Sequence, residues 1–158
     1  MTQNNQVLID TLPEGKLTEK NYKLVESSLP ETSEDEVLVK TIAFAITAGT
    51  RAGLQGSASY AGAPKTDVVM NSTGVGEVVQ SNNSKIKVGT KVMVPTGWQS
   101  YSVHKTVAVT VIPEEVDPLL YLGPLGINGL TAYFGLLSVG QPKAGETVMV
   151  SAAAGSVG

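Results

Sequence analysis

The stretch of this sequence best suited to chemistry is its last part, where an apolar run is followed by a turn of very small residues. Residues 147–150 read TVMV, a run without polar alternation that predicts a strand covered on both faces. The small residues of 152–158 would let the backbone turn tightly and approach a pyrophosphate, with the amides of a following helix facing the phosphates. The sequence ends before such a helix. We therefore expect it to open a nucleotide-binding domain without completing it.

The other reactive side chains do not form a recognisable catalytic set. His104 is the only histidine, and the chain has no cysteine. Disulfides, thiolate ligands and a cysteine nucleophile are therefore excluded, and we predict no metal site because the carboxylates lie in turns. His104 stands in a strand pattern without a nearby triad partner, which favours a surface or half-buried strand residue over a catalytic one. We predict no catalytic residue in this chain.

Composition narrows the class of protein and its partners. The chain has 158 residues, is 42% hydrophobic and carries a net charge of −3; it is long enough for one domain and a fragment of a second. No cluster of Lys and Arg is present, so we expect neither nucleic acid nor an anionic membrane as a partner. The polar start lacks the pattern of a signal peptide, and no apolar run reaches the ~18 residues of a membrane span. We expect a cytoplasmic protein.

The first two thirds of the sequence predict short strands separated by Gly, Asn and Pro. Strand patterns occur in 7–9, 22–25, 36–44, 77–79, 91–94, 99–104 and 106–112. Their number and spacing predict a β-barrel or sandwich-like domain, mostly antiparallel. Residues 45–64 are small and weakly periodic, which predicts a long irregular loop of possible functional use. Arg51 and Tyr60 are its large polar side chains; each fits either a structural role or a ligand pocket.

The last third begins as a helix. Leu130, Phe134 and Leu137 recur at helical spacing, Gly140 is predicted to end the helix, and Pro142 lies two residues beyond it. The change of domain is therefore predicted between residues 118 and 126. We divide the chain into a first domain, 1–122, and the start of a second, 123–158.

Several segments resemble the medium-chain dehydrogenase/reductase superfamily. Residues 129–158 are the specific part, and 74–79, 88–92 and 97–99 also fit. The chain is most similar to the zinc-independent branch of leukotriene B4 12-hydroxydehydrogenase, prostaglandin reductase and plant double-bond reductases. The resemblance implies a fold that is mostly β with some α: a GroES-like β-barrel followed by the first helix and strand of a Rossmann-type α/β domain.

The resemblance also implies site residues and a reaction. Members reduce the double bond of α,β-unsaturated ketones and aldehydes by hydride transfer from NADPH, and a homodimer is expected of the full-length protein. The implied NADP-binding residues, which would bind the cofactor incompletely in this chain, are Asn128, Thr131, Ala152, Ala153, Ala154, Gly155, Ser156, Val157 and Gly158. The implied substrate-binding residues are Arg51, Tyr60, Thr96, Gly97 and Trp98. The family's Asp-Pro-Tyr-Met-Arg is Thr-Ala-Gly-Thr-Arg here, so Gly49 replaces a pocket tyrosine.

Two functions therefore remain open at this point. One is the N-terminal part of an NADP-dependent enone or enal reductase that works without zinc. The other is a non-catalytic GroES-like module for binding or assembly, or an inactive truncated product. On the first reading, we expect this chain alone to lack reductase activity and to bind NADP weakly or not at all.

Overall fold

The chain folds mainly into antiparallel strands. A computed structural model describes residues 2–56 and 63–158. Its strands are β1 (Gln3–Ile9), β2 (Tyr22–Ser28), β3 (Glu36–Phe44), β4 (Gly74–Ser81), β5 (Lys91–Val94), β6 (Tyr101–Lys105) and β7 (Thr110–Val111). Its α-helices are α1 (Ala48–Leu54) and α2 (Ile127–Tyr133), and short 3₁₀ turns cover Glu19–Asn21, Thr106–Ala108 and Pro118–Leu122. The strand positions predicted up to residue 105 are confirmed in outline, whereas the strand predicted at 106–112 forms only at Thr110–Val111.

Five strands form one sheet in the order β6-β3-β4-β5-β7, and every pairing in it is antiparallel. Alternate residues of β3 face the interior, where Val37 and Val39 pack with Val78, Val92 and Val94. Each of these valines is almost fully buried. These valines form one apolar face of the sheet, and Leu38, between Val37 and Val39, is buried as well.

The hairpin of β1 and β2 is joined to the rest of the fold by backbone hydrogen bonds. The amide of Val7 donates to the carbonyl of Trp98 (2.9 Å), and the carbonyl of Val7 accepts from the amide of Met70 (2.8 Å). Beneath this junction, Ile9, Leu54 and Met70 form a second buried cluster against Tyr22 and Trp98. The segment 67–73 is therefore fixed as a wall between the hairpin and α1.

The loop predicted for residues 45–64 is wrong in part, because α1 lies within it. The hydroxyl of Thr47 accepts from the amide of Thr50 (3.4 Å), which caps the first turn. Leu54, at the other end, is buried in the second cluster. A short helix of small residues is held by its cap and one anchor, so it shows no apolar stripe in the sequence. Tyr60 lies outside the described residues.

The C-terminal helix ends where the sequence predicts, but with a different geometry. After α2 the chain continues as a π-helical segment, Phe134–Gly140. The left-handed residue that follows is Gln141 (φ 48°), and its amide donates to the carbonyl of Leu136 (2.9 Å). Gly140 is therefore the last helical residue, and the capping conformation belongs to Gln141.

The predicted strand at residues 147–150 is wrong, because this segment has no regular structure. Val148, Met149 and Val150 are each half or more exposed. No strand in the described part of the chain lies beside them, so their backbone groups have no ladder to join. An apolar run forms a buried strand only when neighbouring strands pair with it and cover it.

Candidate functional site

A cavity of about 750 Å³ opens between α1, the wall 67–73 and the segment 121–128. Thr47, Gly49, Thr50 and Gly53 present one side of α1 to it. These residues are small, so the helix leaves room rather than filling the space. A space of this size suits a small organic molecule.

The wall opposite α1 is tied to the start of that helix. The hydroxyl of Ser72 donates to the carbonyl of Ala45, and the amide of Ala45 donates to the carbonyl of Thr73 (2.9 Å). Both bonds join residues far apart in the sequence. They hold the entry to α1 against the wall, so the two sides of the cavity are fixed relative to each other.

The predicted substrate-side turn, Thr96 to Trp98, does not line this cavity. Instead, the amides of Gly97 and Trp98 donate to the carbonyls of Ser72 (3.0 Å) and Met70 (2.8 Å). Gly97 has φ +63°, a conformation that favours glycine. Gly97 and Trp98 therefore position the cavity wall from behind.

Trp98 is held by aromatic neighbours on the far side of the wall. Its ring stacks on Tyr22 and Phe44, with centroids 5.6 and 5.5 Å away. The indole Nε1 is buried without a hydrogen-bond partner, and the same holds for Oγ1 of Thr96. The side chain thus contributes packing area behind the wall rather than a polar contact.

The predicted substrate residue Arg51 is exposed on α1 and does not line the cavity. Gly49, two residues earlier, does line it. Because neighbouring helical positions point in different directions, the face that carries Gly49 and Thr50 excludes Arg51. Tyr60, the other predicted pocket residue, falls in 57–62, outside the described part of the chain.

One predicted cofactor residue does reach the cavity. Asn128 lines it, together with Tyr121, Leu122 and Ile127. The side-chain amide of Asn128 donates to the carbonyl of Leu122 (3.5 Å). Thr131, one turn later, is exposed, and its hydroxyl donates to the carbonyl of Ile127 (2.6 Å). Of the two predicted helix residues, only Asn128 lines the cavity.

The remaining predicted cofactor residues form an exposed tight turn that is separate from the cavity lining. Ala152 has φ +51°, and its carbonyl accepts from the amide of Gly155 (2.8 Å). A Cβ placed on Gly158 would lie 2.6 Å from that carbonyl oxygen and 2.7 Å from Cα of Ala153. Only glycine lets the chain return this closely. Ala154, Ser156 and Val157 complete the turn, whose small residues leave the backbone approachable, as a phosphate requires.

His104 is placed away from the cavity. Its Nε2 lies 2.7 Å from the hydroxyl of the buried Ser102 on the same strand, and burial lowers the pKa of the imidazole. The half-buried strand position expected from the sequence is confirmed. Among residues 2–56 and 63–158, no group of three or more His, Asp or Glu side chains could hold a metal ion. The helices of the same residues include none long and apolar enough to cross a membrane.

Sequence reasoning missed most of the cavity wall. Lys65, Val69, Met70, Asn71 and Met93 line the space, yet none belongs to a motif. They meet there because of long-range strand pairing, which leaves no local signal. For Lys65, Val69, Met70 and Asn71, proximity in sequence to the small-residue stretch 45–64 is the available signal, and Met93 has none.

Comparisons with known proteins agree with this architecture. A family profile described as the N-terminal domain of oxidoreductase matches residues 5–112. The chain is 40% identical to mouse prostaglandin reductase 1 over 149 residues, covering 92% of this chain and 43% of that protein. It is 34% identical to the tobacco NADP(+)-dependent 2-alkenal reductase over 164 residues, covering 98% and 47%. The chain therefore spans less than half the length of these relatives.

A solved structure matches over almost the whole chain. The crystal structure of CurA from Vibrio vulnificus in complex with NADPH superposes with a TM-score of 0.88 at 33% identity. The match covers 97% of this chain and 46% of that one. The predicted fold class, mostly β with a GroES-like domain and few helices, is confirmed by this match.

Proposed function

Because the chain belongs to the N-terminal domain family of oxidoreductases in the medium-chain dehydrogenase/reductase superfamily, we propose that it is the substrate-side part of an NADP-dependent reductase. The substrates would be α,β-unsaturated ketones and aldehydes, reduced at the carbon–carbon double bond without zinc. Residues 1–122 would form the substrate-side domain, and 123–158 would begin the cofactor-binding domain. The relatives named above include a 2-alkenal reductase and a structure that holds NADPH.

The observation that carries this proposal is the shared cavity of α1 and Asn128. Thr47, Gly49 and Thr50 line one side of it, and Asn128, implied by the resemblance to bind NADP, lines the same space. A reductase needs substrate and cofactor to meet in one water-poor pocket. The resemblance gave Gly49 the position of a pocket tyrosine and Asn128 a place in the cofactor site, and both residues line this cavity.

The chain's own residues would mainly bind and orient the substrate. Apolar side chains of Val69, Met70 and Met93 would cover the hydrocarbon part and exclude water. The hydroxyls of Thr47 and Thr50, 3.1 Å apart, and the amide of Asn128 are neutral groups able to bond a carbonyl oxygen. Such donors would stabilise negative charge that develops on that oxygen during reduction.

The turn 152–158 fits a pyrophosphate in its residue types. Its close return at Gly158 and its small side chains would let backbone amides approach phosphate oxygens. Asn128 would orient the end of the cofactor that lies farther from the pyrophosphate. When bound, NADPH would supply the hydride.

The direct test is to follow oxidation of NADPH by the complete gene product with small enones and enals and no added metal. We expect turnover of unsaturated substrates, no reaction with the matching saturated ketones, and no effect of a chelator. Loss of activity with the chelator would contradict the proposal. Failure with every enone and enal would favour a non-catalytic module.

A matched pair of variants on α1 locates the reaction in the cavity. Gly49→Phe would place a ring in the space and should raise the KM for a bulky enone more than for a small one. Arg51→Phe adds the same ring on the exposed side of the helix, so both KM values should stay unchanged. Equal effects of the two variants would place the substrate elsewhere.

A further inference from the structure

The strand β2 lies at an open edge of the fold. Within the described residues it pairs with β1 alone. The backbone groups of Val7 and Ile9 in β1 bond to segments on the other side of that strand, and the amide of Asp10 donates to the carbonyl of Asn21 (2.8 Å) at the end of the hairpin. Because the bonding direction alternates along an antiparallel strand, the even-numbered residues of β1 carry the bonds to β2.

The register shows which backbone groups of β2 are unpaired. Lys23 and Val25 stand opposite even-numbered residues of β1, so these two residues bond to β1. Leu24 and Glu26 direct their amides and carbonyls outward, and in the described part of the chain no backbone hydrogen bond joins them to another segment. The outer side of β2 is therefore a row of free donors and acceptors, which is a template for a further strand.

The other sheet edges are shorter or partly blocked. The side chain of the buried Asn4 bonds both backbone groups of Tyr101, the first residue of β6: its Oδ1 accepts from the amide (2.9 Å), and its Nδ2 donates to the carbonyl (3.0 Å). The strand β7 has two residues. By contrast, β2 has seven residues, no proline and no bulge in its register, and Lys23 pairs with Asp10 and Asp67. It lacks the devices by which proteins protect an edge.

The centre of this open edge is apolar. Leu24 is 85% exposed. A single exposed leucine is ordinary on a protein surface, but Leu24 stands between free backbone groups that a new strand would pair. A strand laid against β2 would satisfy those groups and remove the leucine from water at the same time.

The charges on β2 fit a second copy of the same strand in one register. Two copies can pair antiparallel about a twofold axis, with even-numbered residues facing each other. Registers that set Glu26 against Glu26 or Lys23 against Lys23 are disfavoured, because like charges would be opposite. With Leu24 opposite Leu24, Tyr22 faces Glu26 and Lys23 faces Val25, so no like charges meet. The remaining register, centred on Val25, would place Leu24 against the charged Glu26.

We propose that two copies of this chain associate through β2, with Leu24 opposite the partner's Leu24 at the twofold axis. The two hairpins then form one antiparallel sheet in the order β1-β2-β2-β1. Each copy contributes one short strand, so the association is weak and depends on concentration. The cavity beside α1 stays open, because none of the described residues that line it belongs to β2. The association is independent of the reductase function, and none of the tests below measures catalysis.

Amide exchange of the 158-residue chain at increasing concentration is the direct test. In a single copy, the amides of Leu24 and Glu26 are free, whereas those of Lys23 and Val25 are held by β1. Protection at Leu24 and Glu26 should rise with concentration, while the amides of Lys23 and Val25 serve as the internal reference. Exchange at Leu24 and Glu26 that does not change with concentration overturns the proposal.

Single cysteines test the register, because the chain has no cysteine of its own. Leu24→Cys would place two thiols opposite each other at the axis. Glu26→Cys would place them about 14 Å apart, four residues along the strand. A short bismaleimide should therefore join Leu24→Cys chains faster than Glu26→Cys chains or Val107→Cys chains, whose residue is 92% exposed away from β2. Equal rates at positions 24 and 26 overturn the proposed pairing.

Leu24→Lys and Val107→Lys form a matched pair for the affinity. Each replaces an exposed apolar side chain by lysine, so circular dichroism should show an unchanged fold. Leu24→Lys sets two ammonium groups opposite each other and should raise the Kd of the dimer about tenfold or more in sedimentation. Val107→Lys should leave the Kd unchanged, and Leu24→Ile should retain the association. Equal effects of the two lysine variants contradict an interface at β2.

Discussion

The same three residues, Val-Met-Val, occur twice in this chain and adopt two different structures. In β5, Val92 and Val94 are 0% and 2% exposed, between β4 and β7. At 148–150, the same letters have no regular structure, and the three side chains are 50%, 92% and 54% exposed. The residue that precedes the run is Lys91 in the first case and Thr147 in the second.

The difference shows that pairing partners decide the structure of a short apolar run. β5 has hydrogen-bonded neighbours on both edges and a valine-rich face beneath it. Residues 147–150 have neither among the described residues. Since β propensity reflects packing against neighbours, identical local sequences can adopt different structures. Leu130, Phe134 and Val139 of the C-terminal part are exposed as well.

Hydrogen exchange should give the largest contrast between the two runs. Amides of β5 are held in a central part of the sheet and should exchange only when much of it opens, whereas amides of 147–150 should exchange almost freely. We expect protection to differ by about 10³-fold or more. Both runs lie in one chain, so each serves as the control for the other. Comparable protection at 147–150 would show that this run is paired in solution.

Matched valine truncations should show the contrast in free energy. Val92→Ala removes a fully buried side chain of the first core cluster and should lower the free energy of unfolding by about 2–3 kcal/mol. Val148→Ala should change it by less than about 0.5 kcal/mol, because the side chain is half exposed. Urea unfolding followed by the fluorescence of Trp98, the only tryptophan, reports on both variants. Equal losses would mean that Val148 is buried in solution.

Two glycines extend the comparison from side chains to backbone spacing. A Cβ on Gly74, in β4, would lie 2.7 Å from Cγ2 of Thr96 and 2.9 Å from the carbonyl oxygen of Ala43. Gly74→Ala should therefore cost about 1–3 kcal/mol through overpacking. Gly135, in the exposed helical segment, has nothing within 4 Å of that position. There the same change should be neutral or stabilising by up to about 1 kcal/mol.

A second substitution identifies the source of the Gly74 effect. Thr96→Ala removes one of the two contacts named above, so the double variant should recover part of the lost stability. If the double variant is simply the sum of both losses, crowding against Thr96 is not the cause.

These contrasts also explain which features the sequence predicts. The strands up to residue 105 follow from alternation and turn residues, which are local, and all of them form, whereas the strand predicted at 106–112 forms only at Thr110–Val111. TVMV at 147–150 carries the same local signal as β5, so no local rule could separate the two. Helix α1 was missed because a hydroxyl cap and Leu54 hold it rather than an apolar stripe. The cavity brings together Lys65, Met93 and Asn128, which only the folded chain places side by side.

The smallest expected effect concerns the residue that distinguishes KVMV from TVMV. Lys91 faces Glu77 across β4 and β5, and its ammonium donates to the carboxylate. That hydrogen bond, together with the attraction between the two charges, lowers the pKa of Glu77. The folded chain therefore binds this proton less readily than the unfolded chain. The stabilisation is present above the ordinary carboxyl pKa of 4.5 and is lost as the pH falls through the lower, folded value.

The free energy of unfolding of Glu77→Gln should consequently fall less than that of the unaltered chain as the pH is lowered. The difference should be small because the pair is exposed and screened. Urea unfolding measured from neutral pH down through the carboxyl range, at low and high salt, would test this. Glu114→Gln, an exposed carboxylate after β7, should leave the pH profile unchanged. Thr147→Lys should gain nothing at any pH, because no strand with a carboxylate lies opposite residue 147 in the described part of the chain. A stabilising Thr147→Lys would reveal a partner strand for the second run and break the comparison.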